Sequence, residues 1–310
     1  MLTGLPLSTI ALLLVAGIAL DLLLGETRRW HPLVGFGKLA GFIERRLNHG
    51  QSRLARGSLA WILAVLPLSL LFLALTDFAG LWLHAVLLYF CIGLRSLRDH
   101  TLPIYSALRA GDLAQARALT ARIVSRDTAN ADESDLAKAS AESLLENGND
   151  AVFGTLFWFI LLGGPGAVLF RLANTLDAMW GYRSERFNLF GRCAARIDDV
   201  LNYVPARLTA LSYVLLAGAS RARAWQCWRT QAPAWSSPNA GPVMASGAGA
   251  LGVSLGGAAV YDGEVEQRPP LGAGPAASAG DILRAWRLVL RTTLLWASVV
   301  CLMAVGVSYA

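Results

Sequence analysis

Four long apolar stretches dominate the pattern of this chain. They occupy 5–24, 58–76, 78–94 and 288–309, and each carries very little charge. A helix needs about 20 mostly apolar residues to cross the hydrocarbon core of a bilayer. Each stretch is therefore predicted to be a transmembrane helix. A tiny turn at Thr76-Asp77 joins the second stretch to the third, which predicts a helical hairpin.

Basic residues between the stretches predict their orientation. The segment 25–57 carries seven Lys and Arg residues against two acidic residues, and short loops with this bias usually stay in the cytoplasm. Both chain termini are then predicted to face outward.

Two shorter apolar runs, 151–162 and 208–218, do not reach the length of a span. The turn GGPG at 163–166 ends the first run, and a crossing there would place six arginines outside. We therefore predict that both runs are buried or re-entrant helices, because non-helical backbone at membrane depth must be covered by protein or water.

These patterns predict an all-α, polytopic integral membrane protein. It would have about four full transmembrane helices and a large cytoplasmic-side helical domain with short buried or re-entrant helices. The predicted regions are a membrane region with three transmembrane helices and a basic cytoplasmic loop (1–94), a helical catalytic region (95–284) and a last transmembrane helix (285–310).

Within the middle region, 98–146 has the pattern of amphipathic helices. Asp112 is a predicted N-cap of one helix, and Ser134 or Asp135 is a predicted N-cap of the next. The Gly- and Pro-rich segment 231–281 predicts irregular backbone with short helices around 244–251.

The amino-acid composition supports a membrane protein and indicates which groups its basic residues could bind. Hydrophobic residues make up 55% of the chain and charged residues 15%, against about 25% charged residues in soluble domains. The net charge is +6, and only two of the 27 basic residues are lysines. Arginine binds phosphate and carboxylate groups, and it also contacts anionic lipid headgroups. Both interpretations remain open.

Other classes of site have no support in the sequence. No zinc-finger spacing, RNP box or basic heptad indicates nucleic-acid binding. The four cysteines are far apart, which predicts neither a disulfide nor a metal tightly bound by Cys or His. No Walker A motif, GxSxG or HExxH is present, so phosphate binding would depend on acidic residues and arginines.

Acidic side chains recur at helical spacing just before an apolar stretch. Glu142, Glu146 and Asp150 are four residues apart, and such steps keep side chains on one face of a helix. The row predicts either a solvated acidic face or a cation site. Its direct continuation into apolar sequence at 151 favours the cation site.

Two further groups have similar chemistry. They are Asn174 with Asp177, and Asp198 with Asp199 and Asn202. Mg²⁺ on a phosphate takes a few protein oxygens, and Glu146, Asp198 and Asp199 are the predicted metal ligands. For Asp198, Asp199 and Asn202 taken alone, ion pairs with nearby arginines such as Arg196 and Arg207 are as good an explanation as a metal site.

Charged residues elsewhere give further candidates. Arg126 and Asp127, in SRDT at 125–128, are predicted either to end and cap a helix or to contact substrate. Asp21 lies at the inner end of the first apolar stretch, where an acid is a candidate functional residue or a partner of Arg28.

Ordered motifs along nearly the whole chain resemble one family. They are DLLLGETRRWHPLVGFGKL, SRDT, ESLLENGND, GGPG, RLANTLDAMWGYR, FGRCAARIDDVLNYVPARLTA, SPNAG and GALGVSLGG. In this order they resemble the CobD/CbiB family of cobalamin biosynthesis, the adenosylcobinamide-phosphate synthases. The chain departs from the family pattern at Glu26-Thr27, where Asp-Pro is expected, and at Pro242-Val243-Met244, where Trp-Pro-Glu is common. A role of that glutamate could not be filled by Met244.

The resemblance implies a carbon–nitrogen ligase that uses ATP and Mg²⁺ as co-substrates. It would join the propionate of adenosylcobyric acid, a corrinoid, to the amine of aminopropanol or its O-phosphate. Carboxylate activation as an acyl phosphate would precede attack by the amine, with Mg²⁺ and arginine stabilising phosphoryl charge. A base would take the amine proton.

The hypothesis assigns two roles to the candidate residues. Binding of Mg²⁺-ATP, or action as the base, is assigned to Glu142, Glu146, Asp150, Asp198 and Asp199. Binding of substrate or phosphate is assigned to Arg126, Asp127, Asn174, Asp177, Arg183, Arg196, Asn202, Arg207 and Asn239.

Two other functions remain open at this point. One is a membrane prenyltransferase-like enzyme that holds Mg²⁺-pyrophosphate, and the other is a non-catalytic membrane sensor or scaffold of the same fold. The predicted location is the cytoplasmic (inner) membrane, with multiple spans and the active site facing the cytoplasm. A homo-oligomer, or a partner protein of the cobalamin pathway, is also an open alternative.

Overall fold

The computed structural model describes residues 4–27, 29, 31–261 and 263–309. The helices of this part are α1 (Leu7–Leu24), α2 (Pro32–Leu47), α3 (Arg53–Ala79), α4 (Trp82–Cys91), α5 (Leu94–Arg109), α6 (Leu113–Thr120), α7 (Glu133–Asn147), α8 (Gly154–Trp180), α9 (Arg192–Leu216), α10 (Arg221–Gln231), α11 (Ala240–Leu251) and α12 (Ala279–Tyr309). A π-helical turn, Gly148–Phe153, joins α7 to α8. Two strands, β1 (Ser254–Tyr261) and β2 (Glu264–Gly272), follow α11.

The protein has the predicted all-α, polytopic membrane fold. Four helical segments among the described residues are long and apolar enough to cross a bilayer: Leu7–Leu24, Arg53–Ala79, Glu133–Trp180 and Ala279–Tyr309. The predicted number of spans is therefore confirmed, but one of the four lies in a different part of the chain.

The predicted third span, 78–94, is wrong. Phe78 and Ala79 complete α3, and Gly80 is its C-cap. The following helix α4 has only ten residues, which extend about 15 Å, or roughly half the hydrocarbon thickness. The predicted hairpin of two full spans is therefore not formed.

The apolar run at 151–162 is a buried helical segment that folds back at the GGPG turn, so the prediction of a buried or re-entrant helix there is confirmed. Helix α8 has 27 residues, but its backbone is not helical at Gly163, where φ is +66°, a conformation that glycine adopts without steric cost. The two segments of α8 lie against each other, since a Cβ on Gly154 would be 2.2 Å from the Phe170 ring. His84 Nδ1 accepts a hydrogen bond of 2.9 Å from the Gly164 N–H, which satisfies a backbone donor at the kink. The other short run, 208–218, lies mostly within α9.

The chain packs as two compact units, each made of separate segments. Unit 1 comprises Met1–Gly93, Asp150–Asn202 and Ala297–Ala310, and unit 2 comprises Leu94–Asn149 and Tyr203–Trp296. The three regions predicted from the sequence are each continuous in the chain, whereas both compact units combine separate segments. The difference arises because the segment 150–202 packs with the N-terminal helices.

Unit 1 is organised around helix α8. Helices α1, α2, α3 and α4 all pack against it, and α1 also packs against α4. Ala11, Val300 and Ala304 form a small buried cluster with Leu7 and Ile160.

Unit 2 is organised around α7, which packs against α5, α6, α11 and β1. The predicted cap Asp112 is confirmed, since its side chain accepts a hydrogen bond of 2.9 Å from the Gln115 N–H. Helix α7 is capped by Asp132, which accepts from the Asp135 N–H at 2.8 Å. The predicted cap at Ser134 or Asp135 is therefore wrong by two or three positions, as is common for helix boundaries predicted from sequence.

A small antiparallel sheet replaces part of the irregular backbone predicted for 231–281. Strands β1 and β2 pair with Val260 opposite Val265, and a bulge lies between Gly256 and Ala258. Glycines in β1, and two prolines and a glycine in β2, hide the alternation that normally identifies a strand. The short helix predicted around 244–251 is present as α11.

Candidate functional site

Glu142 is the centre of a polar cluster in unit 2. It lies on α7 and is only 2% exposed. Arg126 donates a hydrogen bond to its Oε2, and Arg268 donates to both carboxylate oxygens, at 3.1 and 3.3 Å. The Gly256 N–H donates to Oε1 at 2.6 Å. The carboxylate is thus paired with two guanidinium groups, and this arrangement fits a residue that positions its neighbours better than it fits a base.

Gly256 can reach Glu142 because of its backbone conformation. Its φ is +70°, and a Cβ at this position would lie 2.3 Å from the carbonyl oxygen of Pro269. Only glycine accepts both conditions without strain. Glycine at position 256 therefore allows the backbone N–H of β1 to donate a hydrogen bond to the buried carboxylate of Glu142.

A cavity of about 460 Å³ shares Arg126 with this cluster, and its wall includes Asp127, Thr128, Asp135, Lys138, Ala258 and Val260. Its volume is in the range of small-molecule sites, about 300–1,000 Å³. While Arg126 Nη2 is bound to Glu142, Arg126 Nη1 is buried without a hydrogen-bond partner in the described part of the chain. A buried donor left unsatisfied costs about 1–3 kcal/mol, so a ligand oxygen at this wall would be favourable.

The SRDT segment is tied to the β-hairpin and not to a helix end. The Asp127 N–H donates to the Val260 carbonyl at 2.8 Å, and Asp127 Oδ2 accepts from the Gly263 N–H at 2.8 Å. The preceding helix α6 already ends at Thr120. Of the two predicted roles of Arg126 and Asp127, the helix-end role is therefore wrong.

The cavity wall carries charges of both signs. Lys138 Nζ lies 3.2 Å from Asp135 Oδ1 and donates to the Ala258 carbonyl at 3.3 Å. With Arg126 and Asp127, the wall offers two cations and two carboxylates. Such a lining fits a ligand that carries phosphate with a divalent cation.

A second polar cluster lies in unit 1, where amides hold the Asp198 carboxylate. Asn174 donates to Oδ1 at 3.2 Å and Asn202 donates to Oδ2 at 3.1 Å. Arg171 donates to Asn174 Oδ1 at 3.1 Å and to the Asp150 carbonyl at 3.5 Å. Arg171 Nε is buried and has no acceptor among the residues described. The structure thus brings together three of the predicted polar residues: Asn174, Asp198 and Asn202.

Asp198 has the electrostatic character of a group that exchanges protons near neutral pH. Burial, the Asp150 carboxylate and the Asp199 carboxylate raise the pKa of its carboxyl, hydrogen bonds from Asn202 and Asn174 lower it, and the net pKa is about 7. A carboxyl group with a pKa near the working pH is suited to general base catalysis. Asp198 fits the predicted base better than Glu142 does.

Asp199, adjacent in sequence, is in a more open environment. Burial raises the pKa of its carboxyl, and the charges of Arg196 and Arg183 oppose that shift. Arg196 lies 4.0 Å from Asp199, and its side chain is 76% exposed. Asp177 is half-buried on α8, and Arg183 is exposed just after that helix.

The predicted partners Arg207 and Asn239 are in contact in unit 2. Arg207 donates to Asn239 Oδ1 at 2.7 Å and to the Pro238 carbonyl at 2.9 Å. The guanidinium also lies 3.6 Å from the centre of the Tyr203 ring. These contacts connect α9 to the SPNAG segment, so a structural role accounts for both side chains.

The predicted acidic row does not continue along one α-helix. Glu142 and the half-buried Glu146 belong to α7, but that helix ends at Asn147. Asp150 follows in the π-helical turn, where the spacing of four residues no longer keeps side chains aligned.

The metal prediction has no ready-made cluster to support it. Among residues 4–27, 29, 31–261 and 263–309, no group of three or more His, Cys, Asp or Glu side chains could hold a metal ion. The predicted set of Glu146, Asp198 and Asp199 is not such a group. Magnesium roles for these residues stay predictions, because Mg²⁺ in nucleotide sites takes few protein ligands.

Two arginines of these clusters were missed from the sequence. Arg171 is the only ionisable residue between 151 and 176, and a lone charge in an apolar stretch is a recognisable signal of function. Arg268 lies in the segment with the irregular-backbone pattern, and nothing in the sequence connects it with Glu142. Asp21 is 3% exposed at the end of α1, and its suggested partner Arg28 lies outside the described residues.

Comparison with known proteins identifies the family. The model of the CobD/Cbib protein family matches residues 14–289. Similar relatives are cobalamin biosynthesis proteins CobD of Stutzerimonas stutzeri (56% identical, over 93% of this chain and 96% of the relative), of Chromobacterium violaceum (55% identical, 93% and 95%) and of Rhodobacter capsulatus (36% identical, 95% and 98%). No solved structure matches the chain. The match includes both polar clusters and confirms the resemblance seen in the motifs: the chain belongs to the CobD/CbiB family of cobalamin biosynthesis proteins.

Proposed function

We propose that this protein is a ligase that uses ATP and Mg²⁺ to join the propionate of adenosylcobyric acid to aminopropanol or its O-phosphate. Membership in a cobalamin biosynthesis family gives the substrate class, a corrinoid. One observation supports this chemistry: the half-buried Arg126, at the wall of the 460 Å³ cavity, has a buried Nη1 atom without a hydrogen-bond partner among the described residues. A phosphate or carboxylate oxygen is the natural acceptor for that donor.

The proposed reaction has two steps. A propionate oxygen attacks the γ-phosphorus of ATP, which forms an acyl phosphate and releases ADP. The amine nitrogen then attacks the acyl carbon, phosphate leaves, and the nitrogen loses one proton to a base. The first step accumulates negative charge on the transferred phosphoryl group, and fixed cations stabilise that charge.

Residues of the unit 2 cavity suit the first step. Glu142 accepts a hydrogen bond from Arg126, which fixes the orientation of the guanidinium group before a ligand binds. Lys138 adds a second cation. Asp127 and Asp135 are the carboxylates of the wall that would hold Mg²⁺ carried by the nucleotide. Bound Mg²⁺ supplies charge neutralisation at the phosphate oxygens.

Asp198 of unit 1 is our candidate for the base. A carboxyl with its pKa near 7 is partly ionised at neutral pH and can accept the proton that the amine loses. The amides of Asn174 and Asn202 fix its two oxygens, so its orientation is defined.

Substitution of Arg126 tests the proposal. Arg126→Gln should lower kcat/KM for substrate-dependent ADP release by about 100-fold, the usual cost of one transition-state donor, and Arg126→Lys should recover part of it. The assay measures ADP release that requires both the corrinoid and aminopropanol phosphate. Arg122→Gln is the matched control, because Arg122 is exposed and close in sequence but does not line the cavity.

Three results would contradict the proposal. Normal ADP release by a folded Arg126→Gln variant would remove the cavity from the mechanism. Absence of ADP release from the wild-type protein with both substrates would favour the non-catalytic sensor or scaffold. Prenyl pyrophosphate turnover would favour the prenyltransferase-like alternative.

A further inference from the structure

Unit 2 contains a second cavity, of about 240 Å³, that the proposed ligation does not use. Its wall consists of three arginines of α12 and five apolar residues: Arg284, Arg287, Arg291, Leu216, Ala217, Ala250, Leu251 and Leu288. The arginines are three and four residues apart, so they share one face of α12.

Within the described residues, protein contacts account for one of the three arginines. Arg284 lies 2.5 Å from Asp281 Oδ1 and also donates to the Leu251 carbonyl at the end of α11. Arg287 and Arg291 are exposed, and neither has an ion pair or hydrogen bond within the part of the chain that the structure describes. The cavity therefore has two positive charges that no described side chain neutralises.

The position of these arginines along α12 indicates their depth in a membrane. The 18 residues that follow Arg291, 292–309, contain no charged side chain, and α12 is one of the helices that could cross a bilayer. Eighteen helical residues extend about 27 Å, close to the hydrocarbon thickness of about 30 Å. Arg287 and Arg291 are thus within about one turn of the hydrocarbon edge, at the level of lipid phosphates.

An exposed apolar stripe leads to the same cavity. Leu208, Leu211 and Leu215 on α9 are 38%, 40% and 48% exposed, and their spacing places them on one helix face. The next residue after the stripe, Leu216, belongs to the cavity wall. A cationic pocket continuous with an apolar stripe matches a molecule with an anionic head and a hydrocarbon tail.

We propose that this cavity is a binding site for an anionic phospholipid. The lipid phosphate is bound between Arg287 and Arg291, and an acyl chain lies along the α9 stripe. A soluble phosphate ion could bind the two arginines in the same way as a lipid headgroup, but it would not use the apolar stripe on α9. Basic pockets on the cytoplasmic side of membrane helices commonly bind anionic lipid headgroups.

Native mass spectrometry of the full-length protein in mild detergent tests the site. The protein is mixed separately with phosphatidylglycerol, phosphatidylcholine and inorganic phosphate, and bound adducts are counted. The wild type should prefer phosphatidylglycerol to phosphatidylcholine by about tenfold or more. The double variant Arg287→Gln/Arg291→Gln should lose this preference. Arg109→Gln/Arg122→Gln, which removes two exposed arginines of unit 2 away from the cavity, should keep it.

The possible results separate a lipid site from a site for soluble phosphate. An unchanged phosphatidylglycerol preference in Arg287→Gln/Arg291→Gln overturns the proposal, as does an equal loss in the control double variant. Strong binding of inorganic phosphate that displaces the lipid also overturns it, because the site would then serve a soluble phosphate. A Leu211→Gln variant should weaken phosphatidylglycerol binding and leave phosphate binding unchanged, which checks the acyl stripe independently of charge.

Discussion

Glu142 in unit 2 and Asp198 in unit 1 are buried carboxylates with opposite surroundings. Glu142 is bound by the guanidinium groups of Arg126 and Arg268. Asp198 is bound by the neutral amides of Asn174 and Asn202. Positive neighbours stabilise a carboxylate in its ionised form, whereas burial among neutral groups favours the protonated form.

This difference separates a carboxylate that fixes its neighbours from one that can exchange a proton. The sequence pattern assigned both residues the same candidate role, because each belongs to a cluster of acids and amides at helical spacing. The partners decide the role, and all of them except Asn202 come from other segments of the chain. Four substitutions test the contrast, and the one with the greatest expected consequence comes first.

Glu142→Gln should have the largest effect on stability. It leaves Arg126 and Arg268 buried without a counter-charge, and loss of one partner of a buried ion pair costs about 3–5 kcal/mol. Thermal unfolding in detergent, followed by tryptophan fluorescence, should show a large decrease in Tm. Glu133→Gln, at the exposed first turn of the same helix, should cost less than about 1 kcal/mol. Equal effects of the two variants would show that the cluster around Glu142 is not a stabilising unit.

Gly256→Ala should have the next largest effect, because it alters the backbone donor of the same cluster. A positive φ in a non-glycine residue costs about 1–3 kcal/mol, and the new Cβ would also meet the Pro269 carbonyl. Gly257 has a similar φ of +69°, but no described atom lies within 4 Å of the point that its Cβ would occupy. Gly257→Ala is therefore the control, and the excess loss of Tm in Gly256→Ala measures the close approach. An equal loss of Tm in the two variants would contradict the close contact between residue 256 and the Pro269 carbonyl.

Asp198→Asn should change how stability depends on pH. The native pKa of about 7 is far above the ordinary value of 3.8, so the native state retains a proton that the unfolded state has released. The stabilising effect of this proton is complete below about pH 4 and is lost as pH rises through about 7. Wild-type Tm should fall between about pH 5 and pH 8 by the equivalent of about 1–3 kcal/mol, and the variant should show a smaller fall. Ligation activity should also lose its dependence on a group with a pKa near 7.

The control for this pH experiment is Asp135→Asn, which removes an exposed carboxylate of unit 2. The pH dependence of its Tm should match that of the wild type. A wild-type slope that survives in Asp198→Asn would mean that another group titrates in this range.

Arg196→Gln should have the smallest effect on stability. Its ion pair with Asp199 spans 4.0 Å on an exposed surface, and such pairs contribute about 0–1 kcal/mol. Tm should remain within about a degree or two of the wild type. A clear loss of ligation at this unchanged stability would support the substrate-binding role predicted from the sequence, and normal activity would remove Arg196 from that role.

The helical membrane character and the family could both be predicted from local features of the sequence. Hydrophobic runs, the cap at Asp112 and the order of motifs from 21 to 257 all depend on residues close together in the chain. The grouping of Asp198 with Asn202 followed from their spacing of four residues on one helix, whereas the contact of Asn174 with Asp198, 24 residues away, did not follow from any local pattern. The third span was misassigned because a continuous apolar run does not reveal where glycines interrupt the helix.

Local sequence was sufficient to establish an apolar, arginine-rich helical protein of this family, because hydropathy, helix caps and motifs act over a few residues. The contacts between distant segments were needed to learn that Glu142 is neutralised by Arg268, 126 residues away, and that Asp198 is bound by amides. They also showed that Arg287 and Arg291 have no such partner among the described residues. Charge pairing and burial depend on which distant segments pack together, and that packing sets the pKa and the role of each side chain.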